Sequence, residues 1–272
     1  MNAVPALADD TCSLVPRGDL GSPSVRILVT GASGNLGSAL ARKLAKPGIH
    51  LLLWGRNRER LAHTGDACRE RGADVELLQL DLTNLAAVSA ALASSEAAGP
   101  ISAALLVSGL GDALAPDRTV EPAEQIVRLV GSNFSGPAAL AAALASRMAA
   151  RGSGKILIVG SAAAYHWLPN AAGYASSKAG LAHFARSLRL AVAPKGVAVT
   201  LVSPGFIDWP EGGRPVPRLF RISLDKAADR ILVAFAAEVG HAIIPRRFKV
   251  LLLLDRLIPE SVRGPLLRRL KP

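Results

Sequence analysis

Two residues four positions apart carry the first chemical signal in this chain: Tyr174 and Lys178, in the run Tyr174-Ala175-Ser176-Ser177-Lys178. On a helix, positions i and i+4 lie on one face. An ammonium beside a phenol favours the phenolate and lowers its pKa toward working pH. Such a tyrosine can give a proton to a carbonyl oxygen or take one from an alcohol. The same lysine can hold a nucleotide ribose. Ser161, thirteen positions before Tyr174, offers a hydroxyl to a substrate oxygen on which charge develops. Asn133 stands twenty-eight positions before Ser161 and is followed by Ser135, Gly136 and Pro137, a run that breaks a helix locally. Backbone freed there could hold a water in a proton relay. Taken alone, Asn133 reads as a helix cap; the other three residues give it a catalytic reading.

A second signal binds phosphate. Thr30-Gly31-Ala32-Ser33-Gly34-Asn35-Leu36-Gly37 follows an apolar strand-like run and opens a helix-like one. Glycines there let the backbone approach a pyrophosphate, and the free N–H groups of a helix start bind its oxygens. Gly31, Ser33, Asn35, Leu36 and Gly37 are therefore candidate contacts to a dinucleotide. The next strand-like run ends Leu53-Trp54-Gly55-Arg56, without the acidic residue that holds a ribose 2′-hydroxyl in NAD sites. Arg56 can pair with a 2′-phosphate instead, which favours NADP(H) and leaves NAD(H) as the weaker alternative; it also reads as a solvated arginine at a helix start. Asp81-Leu82 follows the third strand-like run. Asp81 could accept from an adenine amino group, cap the next helix, or both.

These residues need a scaffold, and the chain supplies one. Strands are expected at Arg26–Thr30, His50–Trp54, Val75–Leu80, Ile101–Val107, Ile156–Val159 and Val197–Val202. Helices are expected through Lys46, over Arg56–Arg71, Leu85–Ser95, about Glu121–Ala150, and Gly173–Ala193. Short apolar runs without alternation are strands covered on both faces. Their alternation with helices implies right-handed crossovers: an α/β fold, a Rossmann-type doubly wound parallel sheet in a single domain. Residues 1–24, rich in Pro, Asp, Ser and Gly, read as a flexible tail. Residues 25–245 form the domain, and 246–272 a basic amphipathic extension packed on it.

Composition sets the outer limits. The 272 residues suffice for one α/β domain. No apolar run is long enough to span a membrane and no secretory leader is evident, so a cytoplasmic protein is expected. Cys12 and Cys68 lack metal-ligand spacing and read as reduced thiols. The net charge of +11 is concentrated between Trp209 and Pro272, with 13 Lys/Arg against six Asp/Glu. A basic end attracts an acidic substrate, an anionic membrane or nucleic acid, or is simply a solvated surface. With few aromatics beside the bases, nucleic acid is not expected as a partner.

From about Arg26 to Pro245 the sequence resembles the short-chain dehydrogenase/reductase family. Gly31, Gly34 and Gly37, Asp81-Leu82, Asn133, Ser161, Tyr174, Lys178 and Ser203-Pro204-Gly205 carry the resemblance. It implies a nicotinamide cofactor and hydride transfer to or from a carbonyl carbon. Tyr174 would be the acid/base, Lys178 would orient the ribose, Ser161 would position the substrate oxygen and Asn133 would hold the relay water. Ser108 and Gly109 would line the cofactor, and Pro204, Gly205 and Ile207 would flank the nicotinamide. The Ala-rich helices before Arg151 and around Tyr174 resemble the family's subunit interfaces, implying a homodimer or homotetramer. Three departures stand out. Ser108-Gly109-Leu110-Gly111 replaces the family's Asn-Asn-Ala-Gly. The glycines are spaced as in the extended branch, although the length and the spacing from Ser161 to Tyr174 suit the short branch. Trp209 stands where a threonine often contacts the carboxamide.

The substrate end is less regular. Trp209 to about Ile222 reads as a loop over the active-site mouth. Tyr165, His166, Trp167 and Leu168 are expected to line the pocket, with His166 as wall rather than base. Arg246-Arg247-Phe248-Lys249 and the apolar run that follows resemble the end of family members acting on lipidic or other apolar carbonyl compounds. That segment could rest on an anionic membrane surface, or cover the substrate pocket or a subunit interface.

Overall fold

The computed structural model describes residues 25–111, 115, 118–208, 221–245 and 247–248. Strands and helices alternate: β1 (Val25–Thr30), α1 (Asn35–Leu44), β2 (Ile49–Gly55), α2 (Arg58–Arg69), β3 (Asp74–Gln79), α3 (Leu85–Ala97) and β4 (Ala103–Leu106). The second half continues α4 (Ala123–Val130), α5 (Gly136–Arg151), β5 (Gly154–Val159), α6 (Ala172–Val192), β6 (Val197–Pro204), β7 (Phe206–Asp208), β8 (Arg221–Ser223), α7 (Leu224–Ala236) and β9 (His241–Ile244). Seven strands pair in parallel in the order β3-β2-β1-β4-β5-β6-β9. The order reverses between β1 and β4. A crevice therefore opens there at the carboxyl ends, where ligands of such sheets bind.

Side chains on a strand point alternately to the two faces, and here both faces are covered. Ile27, Val29, Leu51 and Leu53 join Leu40, Leu44, Ile231 and Phe235 in a core beneath α1 and α7. Leu28, Leu52, Ile156 and Ile158 face the other way, onto Leu92, Leu144, Met148 and Leu181 from α3, α5 and α6. The result is the expected three-layer, doubly wound sheet.

The helical region expected over Glu121–Ala150 breaks locally at Asn133, as the run Ser135-Gly136-Pro137 predicts, in a π-helical turn at Gly131–Ser135 with Asn133 fully buried at its centre. Two elements were not expected. A seventh sheet strand, β9, and the helix α7 before it complete the sheet. The punctuation was present: Gly240 and Pro245 bracket the run His241-Ala242-Ile243-Ile244. The expected tail 1–24, Trp209 with most of the loop after it, and all of the 246–272 extension except Arg247 and Phe248 lie outside the described residues. Among the described residues, no helix is long and apolar enough to cross a membrane.

Candidate active site

At the carboxyl edge of the sheet lies a cleft of about 1400 Å³. It collects residues from every part of the chain that the sequence singled out: Gly31, Ser33, Asn35, Leu36, Gly37, Arg56, Asp81, Leu82, Ser108, Gly109, Ser161, Tyr174, Lys178, Pro204, Gly205 and Ile207 all line it. Asn133 does not.

One end is a cradle of backbone. Gly31, just past β1, takes φ +67°, and a Cβ there would lie 2.9 Å from the Ser108 nitrogen. A side chain at Gly37 would collide with the Gly31 carbonyl, so α1 starts hard against the turn. The first turn of α1 holds no acidic residue and no side chain caps it, which leaves its N–H groups available to an anion. Across from it, Arg56 follows β2, with its guanidinium 3.9 Å from Asp81. A second cation on this rim was missed from the sequence: Arg60, on α2, reaches Asn35 Oδ1 at 2.8 Å and lines the same cleft. Its signal was the i+4 spacing from Arg56 across a helix start. Asp81 does not cap α3; Asn84 does, accepting from Ala87 N, while Asp81 accepts from the backbone and hydroxyl of Thr83.

The other end holds the polar side chains. Tyr174 and Lys178 sit one turn apart near the start of α6, and Ser161 just beyond β5 shares a hydrogen bond with the Tyr174 phenol. Burial pushes the phenol above its ordinary range, and the bond to Ser161 pulls it partly back. The compensating group is thus Ser161, where the sequence pointed to Lys178. The Lys178 ammonium is itself lowered to about 8 by burial, and it donates to the Val159 carbonyl at 3.1 Å. Gly109 fits between two of these groups. A Cβ there would lie 3.0 Å from Asn133 Oδ1 and 3.1 Å from Lys178 Nζ.

Asn133 is occupied. Its Oδ1 accepts from Leu110 N at 2.6 Å, and its Nδ2 donates to Leu110 O at 3.0 Å and Ser177 Oγ at 3.2 Å. The π turn carries the amide inward, so it clamps the segment that follows β4 instead of facing the cleft. Thr30 does similar work: its hydroxyl accepts from Val107 N at 3.1 Å and Ser108 N at 3.3 Å. Together, Thr30 and Asn133 hold the segment Ser108-Gly109-Leu110, which has no side-chain amides of its own.

His166 and Leu168 line the cleft as expected, but Tyr165 and Trp167 do not. The 3₁₀ turn Ala162–Tyr165 swings the Tyr165 hydroxyl away to Ser203 Oγ (3.2 Å) and His241 Nε2 (3.0 Å). Arg186, which can only donate, reaches His241 Nδ1 at 3.3 Å. The other ring nitrogen, Nε2, faces Tyr165 and Ser203. The network ties β9 to the segments bearing Ser161 and Pro204, a role invisible without the seventh strand.

Comparison with known proteins places the chain in a family. The short chain dehydrogenase family pattern matches residues 26–214. A 3-oxoacyl-acyl-carrier-protein reductase of Rickettsia bellii is 32% identical over 66% of this chain and 71% of its own length. A short-chain dehydrogenase from Sphingobium yanoikuyae, solved in complex with NADPH, is 28% identical, with a TM-score of 0.74 over 91% of this chain and 96% of that one. The bulky-bulky ketone specific alcohol dehydrogenase of Comamonas testosteroni is 25% identical, with a TM-score of 0.73 over 92% and 96%. The chain therefore belongs to the short chain dehydrogenase family, and it is a dehydrogenase/reductase with a nicotinamide cofactor.

Proposed function

We propose that this protein interconverts an apolar carbonyl compound and its secondary alcohol with NADP(H), using Tyr174 as acid/base. The observation that carries the reading is the meeting of Tyr174, Ser161 and Lys178 in one cleft with a glycine cradle. The cradle suits a pyrophosphate, because Gly31 and Gly37 let the turn pack close against the start of α1, whose first N–H groups no side chain caps. The rim suits a 2′-phosphate. Arg56 and Arg60 stand where an NAD site would place a carboxylate, and the Asp81 carboxylate lies against Arg56 rather than replacing it. NAD(H) is the weaker cofactor in this reading.

The nicotinamide supplies the hydride when bound. The chain's own groups manage the proton. Ser161 holds the substrate oxygen and the phenol together through hydrogen bonds. Burial keeps the Tyr174 phenol protonated at neutral pH, so it is suited to donating to the oxygen of a carbonyl undergoing reduction. Lys178, mostly protonated below pH 8, has Val159 O as one partner and the cofactor side of the cleft as the other. Asn133 positions Leu110 and, through it, the wall beside Lys178. Ala162, Ala163, Leu168, Ala171 and Ile207 give the reacting end an apolar wall, which favours an apolar substrate. The ketone specificity in the name of the Comamonas relative points the same way.

Tyr174→Phe tests this directly. NADPH-dependent reduction of ketones should fall by about 10³-fold or more, on the scale of removing a positioned acid, while NADPH fluorescence still reports cofactor binding. Turnover retained in that variant would remove the phenol from the mechanism. NADPH binding without oxidation across ketones, aldehydes and alcohols would favour a non-catalytic sensor or scaffold instead.

A further inference from the structure

Pro245, Arg247 and Phe248, just after β9, stay on the domain. Gly205 N donates to Ile244 O at 2.7 Å, holding the end of β9 against the strand carrying Pro204. Four residues on, Phe248 N donates to Pro245 O at 3.0 Å, which turns the chain back. Arg247 pins the same turn to β8 by donating to Arg221 O at 2.7 Å. These bonds bring the Phe248 ring, buried to 6% exposure, into the wall of the active-site cleft.

The ring rests on Gly205. A Cβ there would collide with it, so only glycine admits the ring at this point. Phe206 lies beside it with the ring centroids 6.1 Å apart and tilted by 52°, while Ala162 and Ile243 pack behind it in a small separate core. Ala162 directly follows Ser161. Phe248 thus touches both residues next to the groups that would hold the reacting carbon: Gly205 on the nicotinamide side and Ala162 on the oxygen side. Elsewhere on this wall Ala163 and Ala171 are small, beside the larger Leu168 and Ile207. The edge of the ring that reaches the cleft is a flat apolar contact, which a broad apolar group covers and a short alkyl group meets less well.

We infer that Phe248 is the specificity-determining residue of this enzyme, selecting carbonyl compounds whose larger substituent is an apolar ring. The inference rests on the oxidoreductase reading above and names its substrate class.

The test compares reduction of acetophenone and of 2-butanone by wild type, Phe248→Ala and Phe248→Leu with NADPH. Wild type should prefer acetophenone. Phe248→Ala should lose about tenfold or more in kcat/KM for acetophenone, mainly through KM, as for a truncated apolar pocket. It should change less than about threefold for 2-butanone, and Phe248→Leu should fall between. Equal losses on both ketones, or no preference in wild type, would overturn the inference. Saturation-transfer NMR of acetophenone on the NADP⁺-loaded protein separates the two readings. Binding that depends on Phe248 without turnover upholds the selection and sinks the proposed reaction. Turnover with no dependence on Phe248 does the reverse. Neither binding nor turnover of the aryl ketone refutes the selection.

Discussion

Lys178 should cost the fold stability, and replacing it should show how much. Its ammonium is fully buried, and burial brings it from 10.5 down to about 8. A fall of about 2.5 in pKa, at about 1.4 kcal/mol each, means that the folded state holds this proton about 3 kcal/mol less well than the unfolded chain does. The sign follows from proton counts. Between pH 8 and 10.5 the unfolded chain keeps the proton and the folded one does not, so stability rises with pH across that window. It is fully present above 10.5 and is lost as pH falls through 8. Lys178→Met keeps the length of the side chain and removes the charge, but it leaves the Val159 carbonyl without this donor, at about 1 kcal/mol. At pH 7 the variant should therefore be more stable than wild type by about 2 kcal/mol, a gain of about 5 °C in Tm for a domain of this size. The difference should shrink above pH 8 and change sign near pH 10. Urea unfolding at pH 7, 9 and 10.5 measures it. A variant that is less stable at pH 7, or a difference that does not move with pH, refutes the reasoning. Activity should be lost throughout, which would make Lys178 a residue kept for function against the interest of the fold.

Other outcomes follow from particular contacts. Arg56→Ala with Arg60→Ala should raise the KM for NADPH by about tenfold or more, as charge-assisted bonds to a phosphate are removed, and leave that for NADH within about twofold; steady-state kinetics with both cofactors decides. Asn133→Ala strips Leu110 of both partners and should destabilise the fold by about 2–3 kcal/mol in urea; an unchanged midpoint would mean that the π turn does not need its amide. Tyr165→Phe removes the hydroxyl that Ser203 and His241 share. It should lower stability by about 1–2 kcal/mol and raise the KM of substrate more than it lowers kcat, and a variant indistinguishable from wild type would show that the network is dispensable.

Much of this protein is legible in one dimension. The strands are contiguous apolar runs because both faces of the sheet are covered, and the helices between them leave a parallel, doubly wound order as the solution. Gly31 to Gly37 is readable as a cradle because its chemistry is backbone chemistry at consecutive residues. Tyr174 and Lys178 are readable because a single helical turn relates them. What could not be read is whatever depends on partners far apart in sequence. Nothing near Ser108-Gly109 foretells that Thr30 and Asn133 would hold that segment in place of its own amides. Tyr165 adjoins pocket residues in sequence but turns to β9, 76 positions away. Phe248, in a stretch whose basic residues drew attention to membranes, reaches the cleft because Gly205 leaves room for it. The burial of Tyr174 and Lys178, and hence the direction of each pKa, also arises only when α6 meets the sheet. Local elements and the reactive groups they carry are set along the chain, since both depend on sequence neighbours. Which distant groups share a hydrogen bond, a wall or a dry environment is set only once the fold assembles, because desolvation and packing are properties of the surroundings.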